Sequence, residues 1–242
     1  MSKKIAEGID TLVLDIKTGN GAFMNTLEMA KNLGKLLKKI GELNDVKVHA
    51  SITDMSQPLG NYSGVACEVI ESMEALKGRG PKDLMDVVCH LAHQIILMNK
   101  DEADDKKLQE LISNGKAYQK FIDMVEAHGG SIEKFNEFNY QNQYFKHTIS
   151  ADSDGYIESF QTKKIGEVLS SIGAGRLGNT DGIDNRSGLK VYKKISNRVS
   201  RGESILEFYC GSEEKINNLR QLPSQLFKIS ESSCLEQKLI YQ

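Results

Sequence analysis

The feature that most constrains the fold is a strand, a glycine loop, a helix and a second strand in direct succession. The apolar run TLVLDI (Thr11–Ile16) leads into Gly19 and Gly21, and apolar residues then recur at helical spacing over residues 27–40. The segment VKVHASIT (Val46–Thr53) alternates between apolar and polar residues, as a second strand does. A strand–helix–strand unit of this length favours a parallel pair of strands with a right-handed crossover.

The helix in this unit has predicted ends and a predicted buried face. Asn25 is a suitable N-cap, Glu28 three residues later completes a capping box, and Gly41 marks the end. We expect one apolar face to cover the sheet. That face consists of Leu27, Ala30, Leu33, Leu36, Leu37 and Ile40.

The glycine loop allows two interpretations. A G-x-G pattern between a strand and a helix occurs in phosphate-binding loops. The dinucleotide pattern, however, requires a third glycine where this chain has Met24, and the Walker pattern requires Gly-Lys-Ser/Thr. A tight turn from strand to helix explains the two glycines at least as well. The missing glycine counts against a nucleotide-binding domain, and the spacing alone leaves the role of the loop open.

The rest of the chain predicts further helices and short strands. Helix 84–98 is apolar around most of its circumference, which predicts burial. Short strands follow from residue 147, around turns at Asp154-Gly155 and Arg201-Gly202. We predict an α/β fold with a mixed, largely parallel sheet flanked by helices (9–147), followed by a smaller α+β C-terminal module (148–242). The other predicted helices cover 65–76, 101–115, 116–130 and 162–172.

Composition argues against some classes of function. The formal net charge is −2, so the chain lacks the basic excess of nucleic-acid-binding domains. No apolar stretch reaches the roughly 18 residues of a membrane span, and the N-terminal residues lack the apolar region of a signal peptide. Four scattered cysteines without a C-x-x-C pair predict reduced thiols and a cytoplasmic protein.

Several segments carry a resemblance to a known family. MSKKIAEGIDTLVLDIKTGNGAFMN (1–25) resembles a signature of the pyrimidine-nucleoside and thymidine phosphorylases. TDMSQPLGNYSGVACEVIESMEALKGRGPKDL (53–84) is similar to the next signature, in order and at the expected distance, and NGKAYQKF (114–121) and SIGAGR (171–176) resemble later ones. The resemblance implies a pentosyltransferase. Such an enzyme cleaves thymidine- or uridine-type nucleosides with phosphate to the base and a pentose 1-phosphate.

The resemblance also implies that this chain corresponds to the C-terminal part of such an enzyme. In the family, a helical region comes before the SKK motif and carries the phosphate-binding loops and most of the dimer contacts. Residues 1–8 would then be the remnant of that helical domain. We accordingly expect homodimers for full-length relatives and little or no phosphorolysis by the 242-residue chain alone.

The same resemblance assigns the substrate site. Lys3 of the SKK motif would be the catalytic and substrate-binding cation. Negative charge develops on the departing base, so a cation held beside a base carbonyl stabilises the transition state. Phe23, with Met24 beside it, would supply an apolar wall for the flat pyrimidine. Phosphate, the co-substrate, would bind to the preceding region.

A monovalent cation, typically potassium, is implied as well. Its ligands in this chain would be the backbone carbonyls of Leu59 and Tyr62 and the carboxylate of Glu71. Carbonyl and carboxylate oxygens suit a hard cation. Other members often have a small residue at the position of Tyr62. Considered without the resemblance, Glu71 is a solvated carboxylate on a helix.

Three further residues have more than one interpretation. His90 and His93 lie three apart on an apolar helix, which suits either a metal site or core histidines held by hydrogen bonds. Asp15 is predicted to end the first strand, where α/β proteins gather their sites, in a supporting role.

Two alternatives to an active phosphorylase stay open. One is a non-catalytic relic or partner-dependent subunit, and the other is a nucleotide-binding α/β domain.

Overall fold

The computed structural model describes residues 1–99, 105–136, 144–176, 178, 182–219 and 226–241. Their contacts group the chain into two compact units that interleave along the sequence. The first unit comprises Met1–Ser56, Lys82–Glu110 and Lys238–Gln242, and the second comprises Gln57–Pro81 and Leu111–Gln237. The domain limits expected from the sequence stay a prediction.

The first unit contains the predicted strand–helix–strand pattern. Helix α1 (Ser2–Ala6) precedes strand β1 (Thr11–Thr18), and helix α2 (Leu27–Glu42) connects β1 to strand β2 (Lys47–Asp54). β1 and β2 pair in parallel along their whole length, which confirms the predicted parallel pair. Strand β10 (Ile240–Tyr241) adds to β2 in the antiparallel direction, so the sheet is mixed.

This sheet has an apolar face and a polar face, because side chains alternate along each strand. The apolar face packs against α2. The polar face points toward helix α4 (Lys82–Met98), which contacts both β1 and β2. The apolar face consists of Leu14, Ile16, Ala50 and Ile52. The polar face carries Asp15, Lys17, Ser51 and Thr53.

The ends of α2 differ from the prediction. Its N-cap is Thr26, whose hydroxyl accepts a hydrogen bond from Met29 N at 3.3 Å, and not Asn25. Gly41 does not end the helix, which continues for one more residue. A Cβ at Gly41 would overlap the Val48 side chain. Glycine at this position therefore lets the helix approach the strand closely.

Helix α4 is less buried than its composition predicted. Val87 is its one fully buried residue, whereas Val88, Ile95 and Leu97 are 45–49% exposed. The predicted burial is therefore wrong for most of this helix. Within the described ranges, no helix combines the length and the apolar character that crossing a bilayer requires.

The second unit combines helices with two antiparallel sheets, of strand order β3-β6-β8-β4 and β7-β5-β9. Its core is formed by residues such as Ile157, Phe160, Leu206 and Phe208, which are all fully buried. The strands are β3 (Tyr62–Ser63), β4 (Phe145–Ser150), β5 (Gly155–Phe160), β6 (Gly188–Val191), β7 (Arg198–Val199), β8 (Ser204–Cys210) and β9 (Phe227–Ser230). The helices are α3 (Val65–Leu76), α6 (Lys116–Ala127), α7 (Ile132–Asn136), α8 (Thr162–Ser171) and α9 (Glu213–Leu219).

These elements confirm the predicted fold class, a mixed α/β structure followed by an α+β module. α3 coincides with the helix predicted over 65–76. Helix α5 (Asp105–Ser113) lies inside the helix predicted over 101–115, whose first four residues are outside the described residues. The turn at Asp154-Gly155 connects β4 to β5, which belong to different sheets.

Candidate functional site

A closed polar network lies near the carboxyl ends of β1 and β2. The Thr53 hydroxyl donates to Asp15 Oδ1 at 2.6 Å and accepts from Lys17 Nζ at 2.7 Å, and Lys17 Nζ lies 2.6 Å from Asp15 Oδ2. Asp15 is not at the end of β1, as the sequence suggested, because the strand continues to Thr18. α/β proteins bind ligands beyond the carboxyl ends of parallel strands. The network therefore supports the edge from which the loops of a site would extend.

The glycine loop follows β1 and is tied to the loop that follows β2. Met55 N donates to Thr18 O at 2.6 Å, and Gly21 N donates to Met55 O at 3.0 Å. Gly19 has a φ of +106°, and a Cβ there would overlap the Ser56 hydroxyl. Glycine alone suits this backbone and this close approach. Gly19 thus has the role of a tight turn packed on another loop.

Asp54 organises the second of these loops. Its carboxylate accepts hydrogen bonds from Ser56 N at 2.8 Å and from Ser56 Oγ at 3.0 Å. Burial raises the pKa of Asp54, and the hydrogen bonds from Ser56 and the charge of Lys17 oppose that rise. With a raised pKa in the folded state, Asp54 stabilises the fold most at low pH. That contribution is lost as the pH rises through the folded-state pKa.

The two loop residues assigned to the pyrimidine lie in different surroundings. Phe23 is 96% exposed. Met24 packs partly against the buried cluster of Ile16, Ala30 and Ile52, and its carbonyl accepts a hydrogen bond from a threonine hydroxyl on β1. An exposed aromatic ring is available for contact with a flat ligand. Met24 is held by the core of the first unit.

Lys3 lies on α1, a helix of five residues without a buried side chain. Lys3 is exposed, and its neighbour Lys4 forms an ion pair with Glu7 at 3.1 Å. β1 separates α1 from the glycine loop along the chain, and its length is about 25 Å. The structure places Lys3, Phe23 and Met24 in one compact unit.

Among the described residues, the histidines of α4 are not part of a group of three potential metal ligands. His90 Nε2 lies 2.9 Å from Ser51 Oγ on β2, which favours the hydrogen-bonded alternative for His90. Across the part of the chain that the structure describes, no three His, Cys, Asp or Glu side chains are grouped as a metal site requires. Burial, followed by the interactions with His90 and Lys38, lowers the pKa of the neighbouring His49.

The residues assigned to a cation lie in the second unit, around the loop Gln57–Asn61. Glu71, on α3, is only 8% exposed, so the solvated-carboxylate explanation is wrong. Its Oε1 accepts a hydrogen bond from Asn61 N at 2.8 Å. The other carboxylate oxygen occupies the space where a side chain on Gly60 would lie. The buried carboxylate is thus packed directly on the loop.

Lys194, which is distant from this loop in the sequence, also contacts it. Lys194 Nζ donates to Pro58 O at 2.5 Å and also to Gly60 O. The carbonyls of Leu59 and Tyr62 belong to the same segment. Carbonyl and carboxylate oxygens fit a hard cation by their chemistry. The two carbonyls that Lys194 contacts, those of Pro58 and Gly60, are not the ones that the resemblance assigns to the cation.

Sequence analysis did not identify Lys17, Thr53 or Lys194. Strand alternation could have placed Lys17 and Thr53 beside Asp15, since all three lie on one face of adjacent strands. No local pattern could have linked Lys194 to Pro58, because the two residues are 136 positions apart.

Comparison with known proteins covers both units. Residues 1–118 match the family described as "Glycosyl transferase family, a/b domain", and residues 156–230 match "Pyrimidine nucleoside phosphorylase C-terminal domain". A thymidine phosphorylase of Metamycoplasma hominis is 36% identical over 222 residues, which are 90% of this chain and 81% of that protein. A pyrimidine-nucleoside phosphorylase of Staphylococcus aureus is 38% identical over 236 residues, and the chain spans 53% of its length. The chain belongs to the family of thymidine and pyrimidine-nucleoside phosphorylases.

Proposed function

We propose that this protein acts in the phosphorolysis of pyrimidine nucleosides of the thymidine or uridine type. The observation that carries this proposal is the similarity to a thymidine phosphorylase over 90% of the chain. The SKK motif, the glycine loop and the Gln57–Asn61 loop all lie within residues 1–118, which match the family described as "Glycosyl transferase family, a/b domain".

The reaction transfers a pentosyl group from a base to phosphate. A phosphate oxygen bonds to C1′ of the sugar while the bond from C1′ to N1 of the base breaks. The electron pair of that bond moves to the base, which takes up a proton, and the products are the base and a pentose 1-phosphate. Stabilising the negative charge that appears on the base is therefore the main task of the residues around it.

Lys3 is the proposed catalytic residue. Its ammonium would donate to a carbonyl oxygen of the pyrimidine, where the negative charge of the leaving base is partly located. The exposure of Lys3 and of Phe23 supports this role, since both side chains are accessible to a ligand. Phe23 would pack against the pyrimidine ring, and Met24 would support the wall from the core side. Phosphate is the proposed co-substrate.

Release of thymine from thymidine, and of uracil from uridine, tests the proposal with and without inorganic phosphate. Lys3→Met is compared with Lys4→Met, which changes the adjacent exposed lysine. Phosphate-dependent release that falls on the order of 10²–10³-fold in Lys3→Met alone supports the proposal.

Calorimetric titration with thymine separates the remaining outcomes. Thymine binding that weakens only in Lys3→Met, without turnover, supports the base-binding role and identifies a relic or partner-dependent subunit. A chain that neither binds thymine nor releases it would contradict the proposal.

Three finer predictions of the resemblance belong to this proposal. A homodimer is tested by light scattering on the purified chain, and a cytoplasmic location by cell fractionation. Potassium at Leu59, Tyr62 and Glu71 is tested by the cation dependence of thermal stability.

A further inference from the structure

The sheet β3-β6-β8-β4 of the second unit has one face in the core and one face that carries a pocket. Apolar side chains of β6 and β8, such as Leu189, Leu206 and Phe208, belong to the buried core, so the residues between them face the other way. A cavity of about 130 Å³ lies on that other face. Among the described residues, its lining consists of four tyrosines, two lysines and one glutamate, all from the second unit.

The four tyrosines give the pocket aromatic walls. Tyr209 is only 4% exposed and lies at the base, and the Tyr144 ring is 6.2 Å from the Tyr209 ring, at an angle of 42°. Tyr192 is 40% exposed and lies at the rim, and Tyr62 on β3 is the fourth. A cavity of ~150 Å³ accommodates benzene, so this volume suits one six-membered ring. Aromatic side chains pack well against the faces of such a ring.

The three charged side chains of the pocket follow one another across the sheet. Glu207 on β8 lies directly opposite Lys190 on β6. On its other side, Lys146 Nζ on β4 donates to Glu207 Oε1 at 3.1 Å. A lysine ammonium only donates hydrogen bonds, whereas a carboxylate only accepts them. Since β8 lies between β6 and β4, the pocket presents a donor, an acceptor and a second donor in that order.

Both ammonium groups can donate to a ligand. The Lys190 ammonium lies 4.5 Å from the centre of the Tyr192 ring and 5.9 Å from that of the Tyr62 ring. These cation–π contacts hold the charge at the pocket through the ring faces. Lys146 uses one N–H for Glu207. An ammonium has three N–H groups, so both lysines retain donors.

We propose that this pocket binds a pyrimidine-2,4-dione, such as uracil or thymine, as a second ligand site of the protein. One edge of such a ring presents a carbonyl oxygen, the N3–H group and a second carbonyl oxygen. This order of acceptor, donor and acceptor complements Lys190, Glu207 and Lys146, while the tyrosine rings cover the faces of the base. The pocket shares no residue with the proposed substrate site, so the proposal does not depend on the proposed reaction.

Calorimetric titration of the Lys3→Met variant tests the proposal, because Lys3 is not part of the pocket. We expect uracil and 1-methyluracil to bind with similar affinity, since both keep the edge of two carbonyls and N3–H. In 3-methyluracil a methyl group replaces the hydrogen that Glu207 accepts. It should bind at least about tenfold more weakly, because a carboxylate left without its partner is costly.

A second substitution locates the binding. Lys190→Met, combined with Lys3→Met, should weaken uracil binding about tenfold, because one charged donor is lost. The matched control is Lys193→Met in the same background. It removes a lysine that pairs with Glu203 at 2.6 Å and does not line the pocket, so the affinity should change less than about twofold.

Three results would overturn the proposal. The first is a Lys3→Met variant that does not bind uracil up to the solubility limit of the base. Uracil binding or release by the unmodified chain would then still support the proposed function. The second is equal affinity for 1-methyluracil and 3-methyluracil, and the third is an equal effect of Lys190→Met and Lys193→Met. Should Lys190→Met not fold, the first two results decide.

The opposite combination separates the two proposals as well. Selective binding of uracil and 1-methyluracil by Lys3→Met, with no phosphorolysis by the unmodified chain and no effect of Lys3→Met on base binding, would support the pocket and contradict the proposed function.

Discussion

At the scale of the residue, Thr53 is the most constrained member of the polar network on the first sheet. Its side chain is completely buried, and its hydroxyl is used both as a donor to Asp15 and as an acceptor from Lys17. Because Thr53 is completely buried, solvent water cannot take over the two hydrogen bonds of its hydroxyl. Its removal leaves one carboxylate oxygen and one ammonium hydrogen with fewer partners.

Thr53→Val should lower the free energy of unfolding by about 1–3 kcal/mol, because the shape is kept while the hydroxyl is lost. Urea denaturation followed by circular dichroism measures the change. The control is Thr11→Val. Thr11 is the first residue of β1, and its side chain is only half-buried. Similar effects of the two substitutions would show that the bridging hydroxyl contributes nothing particular.

At the scale of the element, a single carboxylate connects the turn before β6 to the end of β8. Asp184 Oδ1 accepts from Arg186 N and Nε, both at 3.0 Å, while Oδ2 accepts from Ser187 Oγ at 3.1 Å and Gly211 N at 3.2 Å. Burial alone would raise the pKa of Asp184, but these four hydrogen bonds more than offset it, and the net effect is a lowered pKa.

A lowered folded-state pKa fixes the sign of the pH dependence. The ionised Asp184 stabilises the fold above the pKa of the unfolded chain, and this contribution is lost as the pH falls through the lower folded-state pKa. Asp184→Asn should therefore cost about 1–3 kcal/mol near pH 7 and progressively less below about pH 4. Urea denaturation at several pH values measures this difference, with the exposed Asp152→Asn as the control. A difference that does not vary with pH would contradict the assignment.

The elements that the sequence predicted well are those determined by local pattern. Helix α3 has the predicted limits because its apolar periodicity follows directly after Gly64. The N-cap of α2 was misplaced because Asn25 and Thr26 can both cap a helix, and the course of the preceding loop selects between them. The role of Gly41 depends on its distance from Val48, which no local pattern contains.

The candidate site was predicted from family likeness more than from physical pattern. The likeness supplied Lys3, Phe23 and Met24, whose roles stay predictions. The structure adds two features that a sequence motif does not reveal, the burial of Glu71 and the contact of Lys194 with Pro58. Both depend on packing between segments that are distant in sequence.

At the scale of the whole molecule, the chain leaves and re-enters each compact unit. The last residues, Lys238–Gln242, belong to the first unit, although the segment that precedes them, Leu111–Gln237, belongs to the second. There, β10 covers the edge of β2. Asp54 N donates to Leu239 O at 2.9 Å, and Tyr241 packs against the apolar cluster of Ile16 and Ile52. Exposed sheet edges favour association with strands of other molecules. By pairing with β2, β10 occupies backbone groups that would otherwise form such an edge.

Deletion of residues 238–242 should therefore destabilise a sheet whose other strands lie within the first 54 residues of the chain. We expect the amide of Asp54 to exchange its hydrogen at least about tenfold faster, because its acceptor is removed and the edge of β2 can open. Hydrogen exchange followed by mass spectrometry measures this. The control is Leu235→Ser, since Leu235 is 93% exposed and precedes the returning strand. Unchanged protection of Asp54 in the deletion variant, with full protection elsewhere in β2, would mean that β10 does not stabilise the edge from which the Asp54 loop extends.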